Sequence, residues 1–323
     1  MPRRIALTLG DPRGIGPEIA AKALRRPPAG VEIVTVGPLA MLDTLPGPHA
    51  EAGDAPGGYV RRHRATWDGA EIAYPQLKCA PEAAGLITRA QVERAVALVQ
   101  AGDVDAIVTG PAEKAALQAA GVRHPGHTEW LAALAGTADV AMMLTDERLR
   151  VVLATTHVPL RDVPRLLTAA LVERIGRITV NALRHWWGIP APRLAVCAMN
   201  PHAGEGGLFG REDLDVLAPA AAALGATGPL PADTVFVRAL RGEFDAVIAP
   251  YHDVGMTAIK VAAFGTAVNV TLGLPFVRTS PDHGTAFDIA GTGVADPGSL
   301  LAAIELAAVL AGRAGVVRGR GES

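Results

Sequence analysis

Three histidines stand just past three short apolar runs. Thr155-Thr156-His157 follows the run 150–154, Asn200-Pro201-His202 follows 193–199, and Tyr251-His252-Asp253 follows 244–249. Each run reads as a buried strand. The loops beyond the carboxyl ends of strands are where open α/β sheets carry their chemistry. Neutral imidazole is the commonest protein ligand for a transition-type divalent ion. Three imidazoles hold such an ion and leave a position open for substrate, so His157, His202 and His252 are read as one metal set. These residue types do not choose among zinc, cobalt, nickel, magnesium and manganese. Asp253 is either a partner that orients His252 or a group near the reacting proton, with a turn or cap aspartate the plainer alternative.

A second constellation suits an anion. His127-Thr128 opens a helix, where free backbone N–H groups favour a phosphate. Lys260, Asn269 and Arg278 come from three later elements, and a lysine point charge with an arginine fork suits a phosphoryl group. Singly each is an ordinary surface residue; only convergence makes a site. Gly14-Ile15-Gly16-Pro17 is not a dinucleotide fingerprint, because Ile19 stands where the third glycine belongs. A tight strand-to-helix turn explains it as well. Residues 282–291 read as a polar, glycine-bearing loop entering a short helix, of a kind that can lie against a nucleotide.

Positioning these groups takes strands alternating with helices. Strands are expected at 5–9, 31–36, 105–108 and 267–272. Helices are expected after the turn at 10–18, with Pro17 and Glu18 in the first turn, and at 88–101, 112–120, 160–187, 213–224 and 300–311. Residues 46–81, rich in Gly, Pro and Arg, carry weak strand signals. The basic, Gly-rich tail from Gly312 reads as frayed. Such alternation implies a mainly parallel sheet covered on both faces. Repeats and low-complexity linkers are missing, so two domains would be interleaved or share a sheet.

Composition bounds the function. A chain of 323 residues, half of them hydrophobic and with a net charge of −2, is long enough for two domains and has an ordinary globular balance. A basic block or aromatic-interleaved patch is missing, which argues against nucleic acid. The two cysteines, Cys79 and Cys197, allow one disulfide at most and suit a reducing compartment. The first apolar run stops at Gly10-Asp11-Pro12, too short for a signal segment or a membrane span, so the cytoplasm is expected.

Gly10-Asp11-Pro12-Arg13-Gly14-Ile15-Gly16-Pro17-Glu18, Pro125-Gly126-His127-Thr128-Glu129 and Thr155-Thr156-His157-Val158-Pro159-Leu160-Arg161 resemble the 4-hydroxythreonine-4-phosphate dehydrogenase (PdxA) family. So do Asn200-Pro201-His202-Ala203-Gly204-Glu205, the segment 229–234, Tyr251-His252-Asp253 and the segment 273–280, in the expected order along nearly the whole chain. The resemblance implies an isocitrate/isopropylmalate-dehydrogenase-like α/β fold. Its sheets would be mostly parallel and flanked by helices, with residues 1–323 forming one unit of two interleaved subdomains and the active site in their cleft. It implies His157, His202 and His252 as metal ligands and His127, Thr128, Lys260, Asn269 and Arg278 as substrate-binding residues. Asp233, His283 and Asp288 fall on the cofactor side; the stretch 283–291 also resembles the segment at the adenosine end of the cofactor in β-decarboxylating dehydrogenases. A homodimer is implied, with ligands from both subunits at the interface. Arg13 stands where alanine is common, and Val254 where glutamine often follows Tyr-His-Asp.

The implied reaction is oxidation of 4-phosphooxy-L-threonine, a phosphorylated hydroxy amino acid, with hydride passing to NAD or NADP and a divalent metal as Lewis acid. The product decarboxylates to 3-amino-2-oxopropyl phosphate on the route to vitamin B6. Asp253 and Lys260 are the alternatives for the base. Rival readings are a paralogue acting on 4-phospho-D-threonate, 4-phospho-D-erythronate or an aromatic cis-dihydrodiol, a metal-dependent hydrolase or lyase, and a non-catalytic sugar-phosphate binder.

Overall fold

Short β-branched runs and amphipathic stretches alternate along the chain, and each becomes a strand or a helix. The computed structural model describes residues 2–42, 45, 60–64, 79–124 and 126–318. Two compact units result: Met1–Ala138 with Leu274–Ser323, and Asp139–Gly273.

The first unit opens with β1 (Arg3–Thr8), α1 (Gly16–Leu24), β2 (Val31–Gly37), α2 (Leu39–Leu42) and β3 (Val60–Arg64). It continues with α3 (Pro81–Gln100), β4 (Ala106–Thr109), α4 (Lys114–Ala119) and α5 (His127–Ala135). The second unit holds β5 (Ala141–Thr145), β6 (Arg150–Leu153), α6 (Val163–Leu166), α7 (Ala169–His185), β7 (Leu194–Cys197), α8 (Ala218–Leu224) and β8 (Thr227–Leu230). It ends with α9 (Ala232–Leu240), β9 (Ala246–Ala249), α10 (His252–Ala262) and β10 (Val268–Leu272). The chain then returns to the first unit as β11 (Val277–Pro281) and α11 (Gly298–Arg318).

Strands of the first unit lie in the order β3-β2-β1-β4-β11, all parallel. Ile5, Ala6, Leu7, Ile33, Ala106 and Ile107 are fully buried there, as parallel strands covered on both faces require. In the second unit the order is β10-β5-β6-β9-β7-β8. Strand β5 runs against both neighbours, and the others share one direction. Its core gathers Leu144, Val151, Leu153, Val247 and Ile259 between sheet and helices. On α7 the buried residues Val172, Ile175, Thr179, Ala182 and Leu183 recur at helical spacing. Among the described residues no helix is long and apolar enough to cross a membrane.

Several elements depart from expectation. Helix α3 starts at Pro81, seven residues before the expected 88, because Pro81 sits in its first turn after an extended Ala80. The expected helix 160–187 is broken into a 3-10 turn (Leu160–Asp162), α6 and α7. The break lies at Leu167, which is extended, and Thr168, whose side chain accepts the Leu171 N–H and caps α7. The helix expected from 213 begins as a π-helical turn (Asp213–Leu217) before α8. Helix α11 continues through Arg318, so the fray expected from Gly312 does not occur over 312–318. The loop 282–291 enters turns instead of a short helix. Most of 46–81, together with Pro125, lies outside the described residues.

Candidate active site

Strands β6, β9 and β7 are adjacent and parallel, so their carboxyl ends share one edge of the second unit's sheet. His157, His252 and His202 follow those three ends. The first two loops are tied together: the Ala154 N–H donates to Ala249 O at 2.8 Å, and Thr155 Oγ1 donates to Pro250 O at 2.8 Å. Gly255 lets α10 settle on β6, since a Cβ there would lie 2.5 Å from Leu153 Cδ2. The result is a His157–His252 ring pair, centroids 5.5 Å apart and tilted by 45°. His157 has φ 45° and His202 φ 53°, both left-handed. Non-glycine residues are held in that region at a cost, most often at functional sites. Around His202 the whole run 202–206 is left-handed.

Two of the three imidazoles already carry the partner that metal-bound histidines use. His252 Nδ1 donates to Asp253 Oδ1 at 2.7 Å, and His202 Nδ1 donates to Glu205 Oε2 at 3.1 Å. A carboxylate only accepts, so the proton is on Nδ1 and Nε2 is left as the donor atom for an ion. By donor chemistry and strand placement the set fits a divalent metal. Among the described residues, however, no group of three or more His, Cys, Asp or Glu side chains is arranged to hold an ion as it stands. The Asp253 carboxylate lies against the His252 ring, a placement compatible with an orienting role as well as with the other two readings of this residue.

The anion constellation begins in the first unit. Thr128 is buried in the first turn of α5. His127 Nε2 is buried and has no hydrogen-bond partner among the described residues. Burial, with the nearby Arg278 charge adding to it, holds the His127 pKa at about 3, so the ring is neutral at physiological pH. Arg278 on β11 is 3% exposed, and its Nη2 donates to Thr109 Oγ1 on the neighbouring strand β4 at 2.5 Å. Burial lowers its pKa only to about 10, leaving it charged at neutral pH. A buried cation, a neutral imidazole and a helix start are the kinds of group that favour an anion.

Lys260 and Asn269 belong to the second unit. Lys260 is exposed on α10; Asn269 is half-buried on β10, its Oδ1 buried with no partner among the described residues. Asp233 is exposed in the first turn of α9. His283 is half-buried: its Nδ1 donates to Gly284 O at 3.0 Å, and its Nε2 is buried without a partner among the described residues. Asp288 lies exposed on the following turn.

Sequence reading missed the roles of Thr109 and Asp213, and it flagged Arg13 only as a departure from the family pattern. Thr109 sits at the end of β4 and orients Arg278. Asp213, fully buried, accepts from the turn that precedes His202. Arg13 pairs with the buried Asp11 at 2.8 Å and with Glu113 at 2.5 Å, while its guanidinium lies 5.1 Å from the centre of the Phe287 ring. A Thr at a strand end and charged residues in glycine-bearing loops were the available signals, and neither is specific.

The model of the family described as "Pyridoxal phosphate biosynthetic protein PdxA" matches residues 54–307 of this chain. The chain belongs to the PdxA family. A 4-hydroxythreonine-4-phosphate dehydrogenase of Methylorubrum populi is 48% identical over 334 residues, covering 96% of this chain and 95% of its own length. A crystal structure of 4-hydroxythreonine-4-phosphate dehydrogenase from Klebsiella pneumoniae superposes with TM-score 0.83 at 42% identity, covering 96% of this chain and 98% of the other. A terephthalate 1,2-cis-dihydrodiol dehydrogenase from Burkholderia xenovorans stands at TM-score 0.65 and 34% identity, covering 97% and 99%. Both departures expected of this PdxA chain have a structural account. Arg13 forms the ion-pair cluster just described, and Val254 packs against the core of the second unit.

Proposed function

We propose that this chain is a 4-hydroxythreonine-4-phosphate dehydrogenase, an oxidoreductase of pyridoxal phosphate biosynthesis. It oxidises the secondary alcohol of 4-phosphooxy-L-threonine with NAD or NADP as hydride acceptor. The resulting 2-amino-3-oxo-4-phosphooxybutanoate loses CO2 to give 3-amino-2-oxopropyl phosphate. The names of the near full-length relatives support the reaction. The observation that carries it is the buried, charged Arg278 beside neutral His127 and the α5 start, which suits a phosphorylated substrate and not a phosphate-free dihydrodiol.

His127, Arg278 and the backbone N–H groups opening α5 bind the phosphate, with Lys260 and Asn269 assigned to the same substrate. The phosphate is remote from the reacting carbon, so its binding energy positions the alcohol. His157, His202 and His252 would hold a divalent ion, which when bound supplies Lewis acidity toward the alcohol and then the ketone. Asp253 and Glu205 orient the imidazoles. Asp253 or Lys260 takes the hydroxyl proton; the pH profiles of kcat for Asp253→Asn and Lys260→Ala distinguish them. Asp233, His283 and Asp288 are assigned to the cofactor. A homodimer in the cytoplasm, with both subunits contributing to each site, is part of the proposal.

The test is absorbance of the reduced nicotinamide. Metal-loaded protein is mixed with 4-phosphooxy-L-threonine or 4-phospho-D-threonate, each with NAD and with NADP. Rapid reduction with the first substrate is expected. Preference for the second would move the protein to sugar-acid catabolism, and silence with both would overturn the dehydrogenase reading.

A further inference from the structure

The turn that launches His202 is built on a buried carboxylate. Asp213 is fully buried, and its carboxylate takes three hydrogen bonds from two consecutive residues. Met199 N–H donates to Oδ1 at 2.8 Å, Asn200 N–H to Oδ2 at 3.0 Å, and Asn200 Nδ2 to Oδ2 at 2.9 Å. Asn200 Nδ2 also donates to Glu212 Oε2 at 2.9 Å. Asp213 opens the π-helical turn, yet these bonds run to residues 13 and 14 positions earlier, so they do not cap its own helix. Residues 202–206 are all left-handed, and the turn beyond closes through Ala203 N–H to Asn200 O at 3.2 Å, Phe209 N–H to Gly204 O at 3.2 Å and Leu208 N–H to Glu205 O at 3.3 Å. The loop also arches over Asp213: a Cβ on the buried Gly204 would lie 3.4 Å from Oδ2.

We infer that Asp213 is the positioning residue for His202, clamping the root of its loop and so fixing where the chain carrying His202 leaves β7. Charge-assisted bonds to two successive N–H groups fix both the direction of the chain leaving β7 and the plane of Asn200. A neutral acceptor would hold them less firmly. The inference rests on the proposed three-histidine metal site, and deepens it.

The test measures zinc affinity of the full chain by competition with a chromophoric chelator, and the visible spectrum of the cobalt-loaded protein. Asp213→Asn and Asp213→Ala are compared with His202→Ala and with Thr179→Val, a buried change on α7 outside the loop. Asp213→Ala is expected to weaken zinc binding, by less than the about 10- to 100-fold that removing a ligand's own hydrogen-bond partner costs, and to alter the cobalt spectrum. Thr179→Val is expected to leave both unchanged. Should Asp213→Ala fail to fold, Asp213→Asn decides, with a smaller loss in the same direction. Weak binding in His202→Ala with normal affinity and spectrum in the Asp213 variants overturns the inference alone, as does equal weakening by Thr179→Val. Normal zinc affinity in His202→Ala overturns the three-histidine site and this role with it.

Discussion

Residues in this chain act through the state their surroundings hold them in. Arg278 keeps its charge although almost wholly buried, and Thr109 aims its guanidinium. Arg278→Ala should raise the KM for 4-phosphooxy-L-threonine by at least about tenfold, given charge-assisted bonds of roughly 1.5–3 kcal/mol. An unchanged KM in steady-state kinetics would remove Arg278 from the pocket. His127 offers a pH test. Its folded pKa of about 3 lies below the ordinary 6.5, so the unfolded chain binds the extra proton between those values. Stability contributed by keeping this ring neutral is whole above pH 6.5 and falls as pH drops toward 3, by up to about 1.4 kcal/mol per unit. The Tm of His127→Gln should therefore decline less steeply than that of the parent between pH 6.5 and 4.

Elements hold one another through a few polar clasps. Helix α1 grips the loop before α11: the Glu18 carboxylate accepts the N–H groups of Gly291, Gly293 and Ala295 at 3.2, 3.3 and 2.9 Å. Lys22, paired with Glu18 at 2.9 Å, donates to Gly293 O and Ala295 O. The Ile15 N–H adds a bond to Thr285 O at 2.9 Å. Burial works to raise the Glu18 pKa, but Lys22 and the loop N–H groups hold it below its ordinary value. Its contribution is complete above the ordinary pKa of 4.5 and is lost as pH falls below it. Glu18→Ala should cost about 1–3 kcal/mol and speed amide exchange across 291–295. Exchange unchanged in that segment would show that α1 does not order it. Close helix contacts work by a different means: a Cβ on Gly85 of α3 would lie 1.9 Å from Ala116 O on α4, so only glycine fits.

At the scale of the molecule, the proposed metal ligands His157, His202 and His252 belong to the second unit, and the proposed phosphate residues His127, Thr128 and Arg278 belong to the first. Treating the protein with a chelator and removing the metal should abolish NAD(P) reduction with 4-phosphooxy-L-threonine, and adding back zinc or cobalt should restore it. Full turnover without metal would end the three-histidine reading. Sedimentation of the same sample gives the subunit number, expected to be two.

Much of this was legible in residue order alone. Apolar runs of four to seven residues named most of the strands, because a strand buried on both faces needs no alternation. The histidines after 154, 199 and 249 were visible as strand-end groups for the same reason. The strand at 227–230 was not legible, although 229–234 carried the family resemblance, since β8 is a partly exposed edge strand containing Pro229. What only the tertiary structure decided is adjacency. Strand order puts β9 between β6 and β7, although β7 precedes it in the chain, and so makes neighbours of loops far apart in sequence. The burial of Arg278, His127 and Asp213 belongs to the same class, because charge and hydrogen-bond state depend on what packs around a side chain, and local sequence carries no record of that.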